Sequence, residues 1–194
     1  GVGEQRMRVV AGAWRGRTLC APTGRDTRPT SDRVREAIFS AVISRVGSLD
    51  GVRVLDLYAG SGALGIEALS RGAAHATFVD DSGRAAVVIR KNLAALGVSA
   101  ERSTVIVAPV ERFARSATAA APVSLLLADP PYRIDAGVFR QVLEALATCG
   151  VVADGALIVY EHAHGSIAEL PPGFENAGDK RYGGTVVSFA TFEG

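Results

Sequence analysis

Residues 52–65 read VRVLDLYAGSGALG. An apolar run of strand length over 52–58 passes directly into glycines at 60, 62 and 65, and the pattern ALGIEALSRG over 63–72 is helical until Gly72 ends it. Strand, glycine turn and helix in that order open a β-α-β unit. The glycines fit G-x-G-x-x-G, the fingerprint of dinucleotide sites, where small residues let the backbone approach a ligand and bare helix N–H groups face it. The glycines alone do not choose the ligand.

The same alternation continues along the chain. Short apolar runs predict strands over 75–80, 103–108, 123–131 and 155–162, the third stopped by two prolines. Helical patterns lie between them at 83–97, 110–118 and 136–150. The tail 174–192 reads as two strands about Gly183 and Gly184, with no helix between, which predicts an antiparallel addition at one edge. This order implies an α/β fold with a mostly parallel sheet and helices on both faces, in which ligands bind beyond the carboxyl ends of the strands. Upstream, residues 8–22 predict a small β-hairpin. A helix follows, capped by Thr30 or Ser31, with Val34, Ile38, Val42 and Val46 in helical spacing.

Three polar features fall at strand ends. Asp56 precedes Gly60 by four positions. A carboxylate there repels a pyrophosphate but favours a ligand that carries an ammonium and a sulfonium, as S-adenosylmethionine does. Asp80, with Asp81 as its neighbour and substitute, ends the next strand, where an acid accepts hydrogen bonds from ribose hydroxyls. Residues 128–132, ADPPY, end the fourth strand. There Asp129 and a proline-turn carbonyl such as that of Pro130 can accept the two hydrogens of an exocyclic amine, and Tyr132 can stack on the base, worth roughly 1–3 kcal/mol. Ser61 is not placed as a nucleophile, since the local order is not G-x-S-x-G.

Bulk composition, 48% hydrophobic and 21% charged, is that of a soluble globular protein. No apolar run reaches the roughly 18 residues of a membrane span, and the N-terminus has no apolar signal region. Cys20 and Cys149 lie far apart without metal-type spacing, so a reduced, cytoplasmic chain with packing cysteines is expected. His162 and His164 lack an apparent third ligand, so no metal site is expected. Residues 1–35 hold eight arginines against three acids, a surplus of five on a chain whose net charge is +1. That basic end suits a polyanion, or equally a solvated tail. Within it Arg8, Arg15, Arg17 and Arg28 can meet phosphates and Trp14 can stack on RNA; a half-buried hairpin Trp is the other reading.

Residues 56–73 (DLYAGSGALGIEALSRGA) together with DPPY resemble the class I S-adenosylmethionine-dependent methyltransferases. RVVAGAWRGRTL (8–19), TRPTSDRVREAIFSAV (27–42) and RYGGT (181–185) resemble, more narrowly, the RsmD-like bacterial enzymes that methylate guanine N2 in 16S rRNA. The resemblance implies a Rossmann-like fold with a seven-stranded sheet, an antiparallel C-terminal edge strand and an N-terminal hairpin extension. It implies cofactor contacts from Thr30, Arg33, Asp56, Tyr58, Ala59, Gly60, Ser61, Gly62 and Asp80 or Asp81. It places the guanine site at Asp129, Pro130, Pro131 and Tyr132. Its partner would be 16S rRNA within the small ribosomal subunit or an assembly intermediate, met by a monomer without metal or membrane. Pro109 stands where an acid usually meets the adenine amine, which leaves backbone groups or Glu111 for that task. The expected division is 1–6 as a remnant foreign to the native chain, 7–30 as the basic RNA-contacting extension, and 31–194 as the catalytic domain. Methylation of DNA adenine N6 or of a protein side-chain amide, a nicotinamide-dependent oxidoreductase and a non-catalytic RNA-binding module are the competing readings.

Overall fold

The computed structural model describes residues 6–22, 30–118, 121–131, 134–163 and 169–194. Its main sheet follows the expected alternation: β3 (Arg53–Leu57), α2 (Ala63–Ser70), β4 (His75–Asp80), α3 (Gly83–Ala95), β5 (Ser103–Val107), α4 (Val110–Ser116), β6 (Val123–Ala128), α5 (Ala136–Thr148) and β7 (Val152–Ala163). Two further strands, β8 (Phe174–Tyr182) and β9 (Thr185–Phe192), close the chain. The seven strands lie in the order β5-β4-β3-β6-β7-β9-β8. Strands β3 to β7 pair in parallel. The C-terminal pair supplies the antiparallel edge, with β9 inside it, antiparallel to both neighbours, and β8 outermost.

Both faces of the sheet are covered. Val54, Phe78, Leu125, Leu127 and Phe189 bury against Phe39, Ile66, Leu69 and Ile89 on one face. Leu55, Leu57, Leu126 and Ile158 bury against Ala114, Phe139, Val142 and Leu143 of α4 and α5 on the other. Each such large apolar side chain withdrawn from water contributes roughly 1.5–3 kcal/mol. The chain turns from β3 toward β4 and β5, then returns to place β6 on the other side of β3. The crevice beyond β3 and β6 is therefore the switch point where a doubly wound sheet binds its ligand.

The N-terminal segment forms the expected hairpin, β1 (Met7–Arg8) against β2 (Thr18–Leu19). It is not a solvated tail. Glu67 of α2, fully buried, accepts the N–H groups of Val10 and Ala11, and Ser70 donates to the Ala11 carbonyl at 2.6 Å while accepting from Trp14 N–H at 3.0 Å. Gly12 makes this approach possible: its φ is +88°, and a Cβ there would stand 2.0 Å from the Ser70 carbonyl oxygen. Burial pushes the Glu67 carboxyl above its ordinary pKa, against the Val10 N–H and the Arg71 charge that favour its ionised form.

Helix α1 (Asp32–Val46) is capped by Ser31, whose hydroxyl accepts from Val34 N–H at 3.2 Å. Ile38 and Val42 are buried as the periodicity predicts, but Val46 is exposed, in the last turn before Gly47 ends the helix. Cys20, expected to pack, is exposed as well; its backbone makes the contact, through Asn92. Cys149 is half-buried against the α4–α5 face, as expected.

Candidate active site

Strand register brings the acids together. Leu57 pairs with Val79 of β4 and with Ala128 of β6, and Ala128 pairs with Tyr160 of β7. The next residues, Asp80, Tyr58, Asp129 and Glu161, therefore form a row across the carboxyl ends of four adjacent strands. Asp56 lies two residues before Tyr58, beneath that row, and is almost wholly buried.

Each acid has a defined environment. Asp80 accepts N–H groups from Gly60 and Ser82, both at 2.9 Å, so it ties the glycine turn to the start of α3. Asp81 is exposed, which leaves Asp80 as the acid built into the turn. Asp56 accepts the Gly65 N–H at 2.9 Å. Its carboxyl is pushed well above its ordinary pKa, chiefly by burial and further by the charge of Asp80, while the Gly65 bond pulls the other way.

Asp129 and Glu161 stand within hydrogen-bonding reach of each other, and both titrate above the ordinary carboxylate range, burial being the first cause in each. The effect is larger for Asp129, which also feels the charge of Glu161 and of Asp56. Thr30 donates its hydroxyl to Glu161, 3.2 and 3.4 Å from the two carboxyl oxygens. Among the described residues neither Asp129 nor Glu161 has an ion-pair partner.

Tyr58 has φ +56°, the only positive φ outside glycine among the described residues. That strained turn ends β3 and costs about 1–2 kcal/mol. Its hydroxyl is buried with no hydrogen-bond partner among the described residues. Burial, with Glu111 and Asp81 nearby, holds its pKa above the ordinary phenol value.

The three glycines differ. Gly60 faces open space, whereas Gly62 lies against Ile89 and Phe78, and a Cβ on Gly65 would stand 2.4 Å from Phe78 Cε1. One glycine thus leaves the turn open and the other two allow close packing. Ala59 donates to the Val79 carbonyl and accepts from Gly62 N–H, and the Ser61 hydroxyl oxygen accepts from Ala63 N–H.

Other expected residues lie as follows. Pro130 is half-buried and Pro131 exposed, with the Pro131 carbonyl accepting from Ile134 N–H at 3.0 Å. Tyr132, Arg28 and His164 lie outside the described residues. Arg33 is exposed on α1, while Arg35, two positions on, is fully buried. Arg35 binds Asp32 at 2.6 Å and the carbonyls of Thr30 and Arg8, joining α1, the hairpin and the residue that holds Glu161. On the hairpin, Arg8, Arg15 and Arg17 are exposed. Trp14 is half-buried with the Arg102 guanidinium 5.5 Å from its ring centre. No group of three or more potential metal ligands occurs among the described residues.

Sequence reasoning missed Glu161, Arg35 and Asn92. Glu161 carried a readable signal: an acid at the end of the apolar run 155–162, equivalent in position to Asp129 at the end of its own strand.

The sheet order, the glycine turn at its switch point and the row of strand-end acids define a class I methyltransferase. The solved structure of yhhF from Escherichia coli matches with a TM-score of 0.81 at 34% identity, covering 97% of this chain and 98% of that one. The family model described as "Conserved hypothetical protein 95" matches residues 7–191, and the chain belongs to that family, the RsmD-like family. Ribosomal RNA small subunit methyltransferase D of Escherichia coli K12 is 37% identical over 159 residues, covering 82% of this chain and 76% of the relative. YlbH of Bacillus subtilis is 39% identical over 186 residues, covering 89% of each.

Proposed function

We propose that this protein transfers a methyl group from S-adenosylmethionine to the exocyclic N2 amine of a guanine in 16S rRNA of the small ribosomal subunit. The observation that carries the reading is the position of Asp129-Pro130-Pro131 at the end of β6, in the switch-point crevice beside the glycine turn after β3. The name of the Escherichia coli relative supports the ribosomal RNA substrate.

The site's residues fit this cofactor. Asp56, Asp80, Asp129 and Glu161 gather carboxyl oxygens with no cation paired to any of them among the described residues, and Gly60 leaves room above the turn. A cationic ligand with ribose hydroxyls answers that donor and acceptor set. Asp80 would accept from the ribose, Asp56 would place negative potential under the ammonium and sulfonium, and Thr30, Tyr58, Ala59, Ser61 and Gly62 would line the pocket. When bound, S-adenosylmethionine supplies an electrophilic methyl group on its sulfonium.

The chain's own work is to position the amine. Asp129 and the Pro130 carbonyl accept its two hydrogens, which orients the nitrogen and favours the pyramidal geometry needed for attack. Such positioning can supply several kcal/mol. Tyr132 is assigned to stacking on the flipped base from the sequence alone. Arg8, Arg15 and Arg17 would hold RNA phosphates.

Tritiated methyl transfer to small subunits lacking the modification, with the product nucleoside identified by mass spectrometry, tests the reading. N2-methylguanosine is expected. Methylated adenosine, transfer to protein, or no product overturns it.

A further inference from the structure

Asp129 and Glu161 occupy matching positions on adjacent parallel strands, one residue beyond the Ala128–Tyr160 pair, and their carboxyl groups stand within hydrogen-bonding reach of each other. Two carboxylates cannot share a hydrogen bond without a proton between them. Among the described residues, these groups face the pair. Asp56 approaches from β3 and adds negative charge. Thr30, whose carbonyl is held by the buried Arg35, donates its hydroxyl to Glu161. On β9 the residue opposite Glu161 is the apolar Val187, and Lys180 of β8 lies beyond it, two strands away and exposed. Thr30 fixes the Glu161 carboxylate from one side, so Asp129 is the member that carries the proton and donates.

We infer that Asp129 and Glu161 act as one proton-sharing pair, in which Glu161 is a positioning residue: it takes the Asp129 hydroxyl and so turns the Asp129 carbonyl oxygen toward the incoming amine. This rests on the methyl-transfer reading above. An ionised Asp129 could point either oxygen at the amine. A protonated Asp129 whose hydroxyl is committed to Glu161 offers a single acceptor in a fixed direction. Loss of the shared proton at high pH leaves two adjacent carboxylates that repel and separate. Burial and like charge both raise the pH at which the pair gives up that proton.

The test has two readouts. In the ligand-free protein, carbon-13 carboxyl shifts of the two side chains are followed against pH. The wild type is expected to titrate in two separated steps, the upper one well above the ordinary carboxylate range, and Glu161→Gln is expected to lose the upper step. In single-turnover methyl transfer to small subunits, the wild type is expected to lose rate on the alkaline side. Glu161→Leu is expected to lower the rate at neutral pH by about tenfold or more, with little change in KM for subunits. Glu161→Gln, whose amide donates where the shared proton did, is expected to recover most of that loss and to lack the alkaline decline. Ordinary single-step titration of both wild-type carboxyls, or an alkaline decline kept in Glu161→Gln, overturns the inference. Absence of transfer by the wild type overturns the function proposed above instead, and the carboxyl titration then still decides whether the pair exists.

Discussion

Asn92 of α3 donates through Nδ2 to the carbonyls of both Cys20 and Ser61, at 3.0 and 3.1 Å, while its Oδ1 accepts the Cys20 N–H at 2.8 Å. One buried amide thus ties the end of the N-terminal hairpin to the glycine turn after β3. Replacement by alanine removes three hydrogen bonds and leaves partly buried backbone groups of Cys20 and Ser61 without that partner. Asn92→Ala is expected to lose about 2–4 kcal/mol in urea unfolding. It should also weaken S-adenosylhomocysteine binding in calorimetry, because the turn loses its support. Full stability with full affinity would show that the amide anchors neither segment.

The glycines of the fingerprint should respond differently from a glycine that serves no packing role. Alanine is favoured over glycine within a helix by about 1 kcal/mol. At Gly65 that gain is outweighed, since a Cβ would press on Phe78 and approach Asp56 Oδ2 at 3.1 Å. Gly65→Ala is expected to cost about 1–3 kcal/mol. At Gly83, the start of α3, an added Cβ would meet nothing within 4 Å, and Gly83→Ala should be neutral or slightly stabilising. Thermal melts of the two variants side by side check both signs.

Most of the fold was legible because its signals are local. The span 75–80 matches β4 at both ends, and the glycine turns fix where the helices of the β-α-β units begin and stop. The candidate site, as a gathering of acids, was legible where one strand end carried its own motif, as at Asp56, Asp80 and Asp129. It was not legible where function depends on pairing across strands or elements. Glu161 matters through its register with Asp129, and Arg35 through carbonyls as far away in the chain as Arg8. The charge surplus of the N-terminus likewise could not reveal that its backbone is fastened to Glu67 and Ser70.

Asp56 sets a pH dependence of stability with a definite sign. Its carboxyl is raised in the folded protein, chiefly by burial. Such a group binds its proton more tightly folded than unfolded, so it disfavours the fold above the unfolded pKa of about 3.9 and has no effect below it. The penalty grows as pH rises from there to the folded pKa. Asp56→Asn keeps an oxygen for the Gly65 N–H and removes the buried acid. It should be more stable than the wild type near pH 7, with the advantage gone by about pH 4. Urea unfolding at the two pH values measures this, and an advantage that persists in acid would contradict it. The same variant should bind S-adenosylhomocysteine more weakly, having lost negative potential beneath the ligand's ammonium.

Asp129 can be separated from RNA binding. Asp129→Ala removes both the acceptor for the amine and the partner of Glu161, and it leaves the hairpin untouched. Methyl transfer should fall to background while small-subunit binding changes less than about threefold, a difference below 1 kcal/mol. Retained transfer would remove Asp129 from the amine site.

The exposed arginines of the hairpin divide by what else they hold. Arg15 is exposed and its N–H merely closes the hairpin turn onto Gly12, whereas the Arg17 guanidinium donates to the Ala95 carbonyl at 2.8 Å, at the end of α3. A phosphate contact releases counterions, so removing one lowers the slope of log affinity against log salt by about one. Arg15→Ala should lower the slope for small-subunit binding by that amount and leave the melting temperature unchanged. Arg17→Ala should lower the slope similarly and also cost about 0.5–1.5 kcal/mol of stability, because the last carbonyls of α3 lose a charged donor. Filter binding across a salt series, with a melt of each variant, distinguishes the two roles. An unchanged slope in both variants would place the RNA path elsewhere on the surface, and the hairpin's charge would then serve only to keep the exposed side of the extension solvated.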